Sequence, residues 1–305
     1  MTGAMTSSTR GDPHPWRGPL LILAASLLWS FGGVGIKSLA GSHSAIAITG
    51  WRSLFSLALL LPAARLSRER LALFFRPLML GTAAVYTATV ILFVAATTLT
   101  TAANAILLQY TAPFWVILFC LFGDEKPRLR EILLAGACFA GLAFFFLDRV
   151  SPDGLRGILL ALLSGCALAV MTLGLRSLAR EGDGRGAVDA VIGGNLLCSL
   201  LCAPWMVTSI AGLTAPQWGI LAALGLGQIA LPYLLFSAGV REVSALRATL
   251  LSMLEPLLNP VWVALATGEI PGNGTLLGGG LIIVCLVLDA ALPRRPEEAI
   301  VMRVD

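Results

Sequence analysis

From Pro77 to Gly123, and again from Ala190 to Val240, the chain runs without a single Asp, Glu, Lys or Arg. A helix needs roughly 20 apolar residues to cross the hydrocarbon core of a bilayer. Each stretch therefore holds two crossings joined by a tight turn, one at Thr97-Thr98-Leu99-Thr100-Thr101 and one at Ala211 to Pro216. Composition points the same way. Charged residues make up 12% of the 305 positions, half the roughly 25% of a soluble domain, and cannot coat a globule of this size. The expected solvent is lipid. Lipid offers the backbone no hydrogen-bond partner, so an all-α polytopic membrane protein is expected.

Six further spans fill the rest: Pro19 to about Leu39, Ile46 to Ala64, Ile132 to Leu147, Gly157 to Leu175, Val243 to Ala266 and Pro271 to Leu288. The expected count is ten transmembrane helices with short loops. Basic residues orient them. With the N-terminus inside, all of the 21 Lys and Arg except Lys37, Arg52, Arg149 and Arg156 fall on the cytoplasmic side. Both termini are expected there, in the inner (plasma) membrane. The polar first 17 residues lead into a full-length span without a small-residue cleavage site, so no signal peptide is expected.

Scarce residues exclude much chemistry. The two histidines, His14 and His43, leave no basis for a His-built zinc site or a Ser-His-Asp triad. The six cysteines sit in apolar runs without a CxxC, as small hydrophobes do. No phosphate-cradling Gly-rich loop and no paired acidic motif is present, and the net charge of +4 is no nucleic-acid footprint. No catalytic residue, metal or cofactor is expected, and the chain is not expected to be an enzyme. The expected partners are a small-molecule substrate and the lipid bilayer, with no nucleic acid; the protein is expected to be a monomer or weak homodimer.

An internal repeat runs through the middle. Thr101 to Pro113 and Ser244 to Pro256 align at an offset of 143 residues: Ala102 meets Ala245, Ala105 meets Ala248, Leu107-Leu108 meets Leu250-Leu251, and Pro113 meets Pro256. Both lead to a Gly-acid-Pro exit, Gly123 to Pro127 and Gly268 to Pro271. Gly35-Ile-Lys-Ser-Leu39 likewise matches Gly174-Leu-Arg-Ser-Leu178. Five crossings per copy is an odd number, so the second copy enters from the opposite face. That is an inverted repeat, typical of secondary transporters that alternate access around a midplane site. The layout expected is a tail over 1–17, a first repeat over 18–147, a connecting loop over 148–156, a second repeat over 157–292 and a tail over 293–305.

The Trp29-Ser30 pair with Lys37, Arg52 in the second span, and Ala-rich helices reaching a mid-span Pro and then Gly-Glu resemble the drug/metabolite transporter superfamily. Within it the chain looks like the ten-helix branch with two EamA-type repeats, over about residues 18 to 293. Leu28-Trp29-Ser30 and Gln109-Tyr110-x-x-Pro113 are similar to YddG-type exporters of aromatic amino acids. The spacing from Pro113 to Glu125 is one residue shorter than from Pro256 to Glu269, a departure from a strict repeat. The resemblance implies export of amino acids and related small metabolites through a central cavity lined by both repeats. A multidrug or general metabolite exporter is the alternative; a channel or a membrane-embedded enzyme is a weaker one.

Substrate-binding candidates are the polar and amphipathic groups inside spans: Trp29, Tyr86, Gln109, Tyr110, Gln228, Tyr233 and Glu255, with Asn104 one to two turns before the Gln109-Tyr110 pair. Tyrosines within spans can stack on a solute or offer a hydroxyl. Glu255 admits three readings: a ligand for a substrate amine, a proton carrier, or a polar cap on the backbone broken by Pro256. Arg247, Lys37 and Arg52 each admit two, snorkelling to headgroups or holding an anion. Pro113 and Pro256 each remove a backbone donor in mid-span and are the expected hinges.

Overall fold

A computed structural model of the protein describes the backbone of residues 16–64, 75–100, 102–122, 127–145, 155–181, 184–267 and 273–291. The tails, most of the connecting loop and the two Gly-acid-Pro exits lie outside the described residues, as does the side chain of Asn104. The described backbone is helical throughout, without a strand.

The first half contains α1 (Arg17–Trp29), α2 (Gly32–Ala40), α3 (Ala45–Ala64), α4 (Pro77–Leu99), α5 (Ala102–Gln109), α6 (Ala112–Phe122) and α7 (Leu129–Phe145). The second contains α8 (Leu155–Arg180), α9 (Gly186–Ser209), α10 (Ala215–Ala223), a π-helical segment (Leu224–Ala230), α11 (Leu231–Gly239), α12 (Ala245–Leu251), α13 (Leu254–Thr267) and α14 (Asn273–Ala291). Seven runs among the described residues are long and apolar enough to cross a membrane: Arg17–Ala40, Ala45–Ala64, Pro77–Leu99, Ala105–Phe122, Leu155–Arg180, Gly186–Gly212 and Ala215–Gly239. The remaining runs are shorter. α7 has 17 residues, the break between α12 and α13 divides its run, and α14 carries an apolar stretch over Leu276–Cys285.

Turn chemistry ends the helices where expected. α4 stops at Leu99 and the chain re-enters a helix at Ala102. The second charge-free stretch turns over Ile210–Gly212, and α10 starts on a capping box in which Thr214 and Gln217 satisfy each other's backbone donors.

The two halves do not form separate bundles. α4 packs along α8 and α9, α3 along α9, α1 along α11, and α5 and α6 against α8, so helices of the first half find their main partners in the second. α7 and α14 pair with each other. The packed units mix helices of both halves. On the arginine-rich side, ion pairs Arg17–Glu242 and Arg76–Glu181, each 3.0 Å, also link the halves. Apolar leucines and phenylalanines such as Leu20, Phe75, Phe122, Leu200 and Leu265 cover the outside, the inside-out pattern that a lipid solvent allows.

Candidate functional site

Four interruptions of helix surround one cavity. The first is Ser30-Phe31, between α1 and α2. Breaking a helix frees carbonyls that must find partners away from water, and here they come from across the fold. Gln228 Nε2 donates to Trp29 O (3.3 Å), Asn259 Nδ2 to Ser30 O (3.1 Å), and Trp262 Nε1 to Ser30 Oγ (2.7 Å). Such contacts need bare backbone beside the break. A methyl group on Gly33 would fall 2.5 Å from Asn259 Nδ2. The second interruption is the π-helical segment, which carries Gln228; π-turns of this kind gather at functional sites.

The third and fourth fall at Tyr110-Thr111 and Ser252-Met253, in matching register within one residue. The expected hinge prolines lie just past them. Pro113 and Pro256 occupy the first turn of α6 and α13, where a helix has no use for the missing N–H. Each lies just after the interruption, in the segment that resumes the helix. Thr111 Oγ1 returns to Leu108 O (2.8 Å) and Ser252 Oγ to Ala248 O (2.9 Å), closing each broken end locally.

Because each break is capped by its own hydroxyl, Glu255 is left for another task. Its Oε2 accepts a 2.6 Å hydrogen bond from Tyr110 Oη, joining the two broken helices directly. Gln109 Nε2 donates to Ser164 Oγ (2.7 Å), and Ser164 Oγ to Thr89 O (3.2 Å), tying α5 to α8 and α4. Trp29 meets Tyr233 edge-on at 5.0 Å between ring centroids and Phe236 at 5.3 Å, a geometry the ring quadrupoles favour.

The cavity has about 670 Å³ of unfilled space, its open side included. Trp29, Gln109, Tyr110, Gln228, Tyr233 and Glu255 all line it. Tyr86 does not. It stands fully buried behind Tyr233, 4.9 Å away ring to ring, with its hydroxyl accepting from Asn195 Nδ2 at 2.9 Å. Its place is in the wall's support.

Arg52 also lines the cavity and is the residue the sequence undervalued. Snorkelling does not describe it. Only 2% exposed, it donates from Nη2 to Gln228 Oε1, while Nε and Nη1 are buried without a partner. Lys37 instead sits exposed and donates to Thr100 O at 2.8 Å. Thr89, Phe93, Met171, Thr172, Thr249 and Ser252 complete much of the wall. Nothing in the sequence distinguishes these hydroxyls from the many that bond their own helix, and Thr89, Thr172 and Thr249 do so here, to Val85, Leu168 and Leu246.

A cavity ringed by broken helices from both halves is transporter geometry, and the chain's relatives agree. The sequence pattern of the EamA-like transporter family matches residues 16–147 and 155–288. The chain belongs to that family. The chain is also similar to an uncharacterized transporter of Archaeoglobus fulgidus, 26% identical over 211 residues that make up 69% of this chain and 75% of that protein. The uncharacterized transporter YwfM of Bacillus subtilis is 29% identical over 189 residues, 61% of each chain. A solved crystal structure shares the fold, with a TM-score of 0.71 at 19% identity over 94% of this chain and 99% of that one. This EamA-like chain is thus a multi-pass membrane transporter, with its central cavity between the matched segments.

Proposed function

We propose that this protein exports amino acids, aromatic ones among them, by alternating access. The observation that carries the reading is the composition of one cavity. Aromatic rings from Trp29, Phe93, Tyr110, Tyr233 and Phe236 share it with a guanidinium, a carboxyl and two carboxamides. Rings and methionine accept an apolar side chain, and the few polar groups suit the charged ends of a small zwitterion.

In the same reading the chain crosses the membrane ten times as two inverted five-helix repeats, α7, the α12–α13 run and α14 crossing beside the seven longer runs. Both termini face the cytoplasm of the inner membrane, as the arginine distribution supports. The units that rock are mixed ones, since α4, α8 and α9 pack together while α1 packs with α11.

The test is counterflow in liposomes holding the purified protein. Labelled phenylalanine outside should enter faster when unlabelled phenylalanine is trapped inside, and a competition panel of the twenty amino acids should rank aromatic ones first. Equal uptake with and without trapped substrate would sink the carrier reading. The mostly apolar wall also favours a broader metabolite or drug exporter, for which hydrophobic amines would compete as well as phenylalanine does.

A further inference from the structure

Arg52 and Glu255 are the two charged residues lining the cavity. They come from different halves, Arg52 from within α3 and Glu255 from the first turn of α13. They do not form an ion pair with each other or with any other described residue. A guanidinium stays protonated in a protein and offers five N–H donors. Of the three nitrogens of Arg52, Gln228 engages Nη2 alone, and Gln228 is in turn committed through Nε2 to the broken end of α1. A buried cation with orphaned donors is expensive unless something anionic joins it. Glu255 is engaged at one oxygen: Oε2 accepts from Tyr110, and among the described residues no hydrogen bond reaches Oε1.

We propose that Arg52, steadied by Gln228, receives the carboxylate of a bound α-amino acid, and that Glu255, steadied by Tyr110, receives its ammonium group. The solute then lies with fixed polarity across the seam between the halves, its side chain against Trp29, Tyr233 and Phe236. A carboxylate suits Arg52 better than a phosphate, because the single cation lining this cavity balances one negative charge and not two. This assignment rests on the amino-acid reading above and names the atoms that would enforce it.

Calorimetric binding to the full chain in lipid nanodiscs tests it with three probes: phenylalanine, phenethylamine (no carboxylate) and 3-phenylpropionate (no amine). Wild type should bind phenylalanine roughly tenfold or more tighter than either analogue, the scale of a hydrogen bond to a charged group. Arg52→Gln should make phenylalanine and phenethylamine equal, and Glu255→Gln should make phenylalanine and 3-phenylpropionate equal. If Arg52→Gln does not fold, Arg52→Lys, which keeps the charge and loses the fork, should retain part of the preference for phenylalanine over phenethylamine. The wild-type ratios stand as a test without any variant. Wild type binding phenethylamine as tightly as phenylalanine overturns the proposal, as does a folded Arg52→Gln with unchanged ratios. Phenylalanine exchange without Arg52 dependence removes this assignment and leaves the amino-acid reading standing. Arg52-dependent binding of 3-phenylpropionate with none of the twenty amino acids bound removes the amino-acid reading and the ammonium half of the assignment together.

Discussion

Two helices of this protein break at equivalent places, three residues or so before a proline, and carry different chemistry at the break. Ahead of Pro113 stand Gln109, Tyr110 and Ala112; at the same register ahead of Pro256 stand Ser252, Met253 and Glu255. The backbones agree and the side chains do not. One break supplies a carboxamide and a phenol, the other a hydroxyl, a thioether and an acid. They meet in the Tyr110–Glu255 hydrogen bond. The comparison separates two jobs. The repeat supplies a pair of interrupted helices beside one cavity, and divergence between the copies lets a phenol on one meet an acid on the other. A perfectly symmetric pair would place like groups at both breaks and could not form this donor–acceptor pair.

The comparison can be broken most forcefully at Glu255. Replacing Glu255 with Ala strands the Tyr110 hydroxyl in a buried setting. Exchange should fall by roughly 10- to 100-fold and stability by about 2 kcal/mol, the cost of an orphaned partner plus a lost charged bond. Counterflow rates and thermal unfolding measure both, and wild-type rates would reduce the pair to packing. Tyr110→Phe is gentler, because it keeps the ring and removes the donor. A loss of about 1 kcal/mol and a several-fold slower exchange are expected.

The prolines probe the shared half of the comparison. Pro113→Ala and Pro256→Ala should each change stability by less than about 1 kcal/mol, since both sit in a first helical turn. Each should slow exchange to a similar degree if the breaks are mechanical equivalents; a variant that slows transport at one site only would show that a single break moves. The smallest effect belongs to Tyr86→Phe. Losing the bond from Asn195 should cost about 1 kcal/mol in unfolding experiments and leave exchange near wild type. A large transport defect there would mean that the wall reaches one layer deeper than the cavity outline.

Much of this was legible in the chain, for a physical reason. Lipid leaves composition to decide where helices run, so the charge-free stretches and the turn at Thr97 to Thr101 marked helices before any packing was known. The prolines marked two breaks and, by their offset, the repeat. The break at Ser30-Phe31 carried no comparable mark, because glycines such as Gly32 and Gly33 within a span serve close helix packing as readily as a break. The π-helical segment carried none either, since widening one turn needs no special residue type. Rotation was the real blind spot. These helices are apolar all round, so nothing said which face of α3 looks inward, and Arg52 kept a headgroup reading that its burial removes. Tyr86 and Tyr233 looked alike as tyrosines within spans; only the interleaving of α4, α9 and α11 puts one in front of the other.

That interleaving bears on how the molecule is made. As the first half emerges from the ribosome, α3 and α4 precede the helices that carry the partners of Arg52, Thr87 and Tyr86, namely Gln228, Gly194 and Asn195. The early chain must wait in the bilayer with polar groups unmatched until the later helices insert among the earlier ones. Biosynthesis of this protein is thus a threading problem more than a docking of two finished pieces, and its most vulnerable moment falls between the two copies of the repeat.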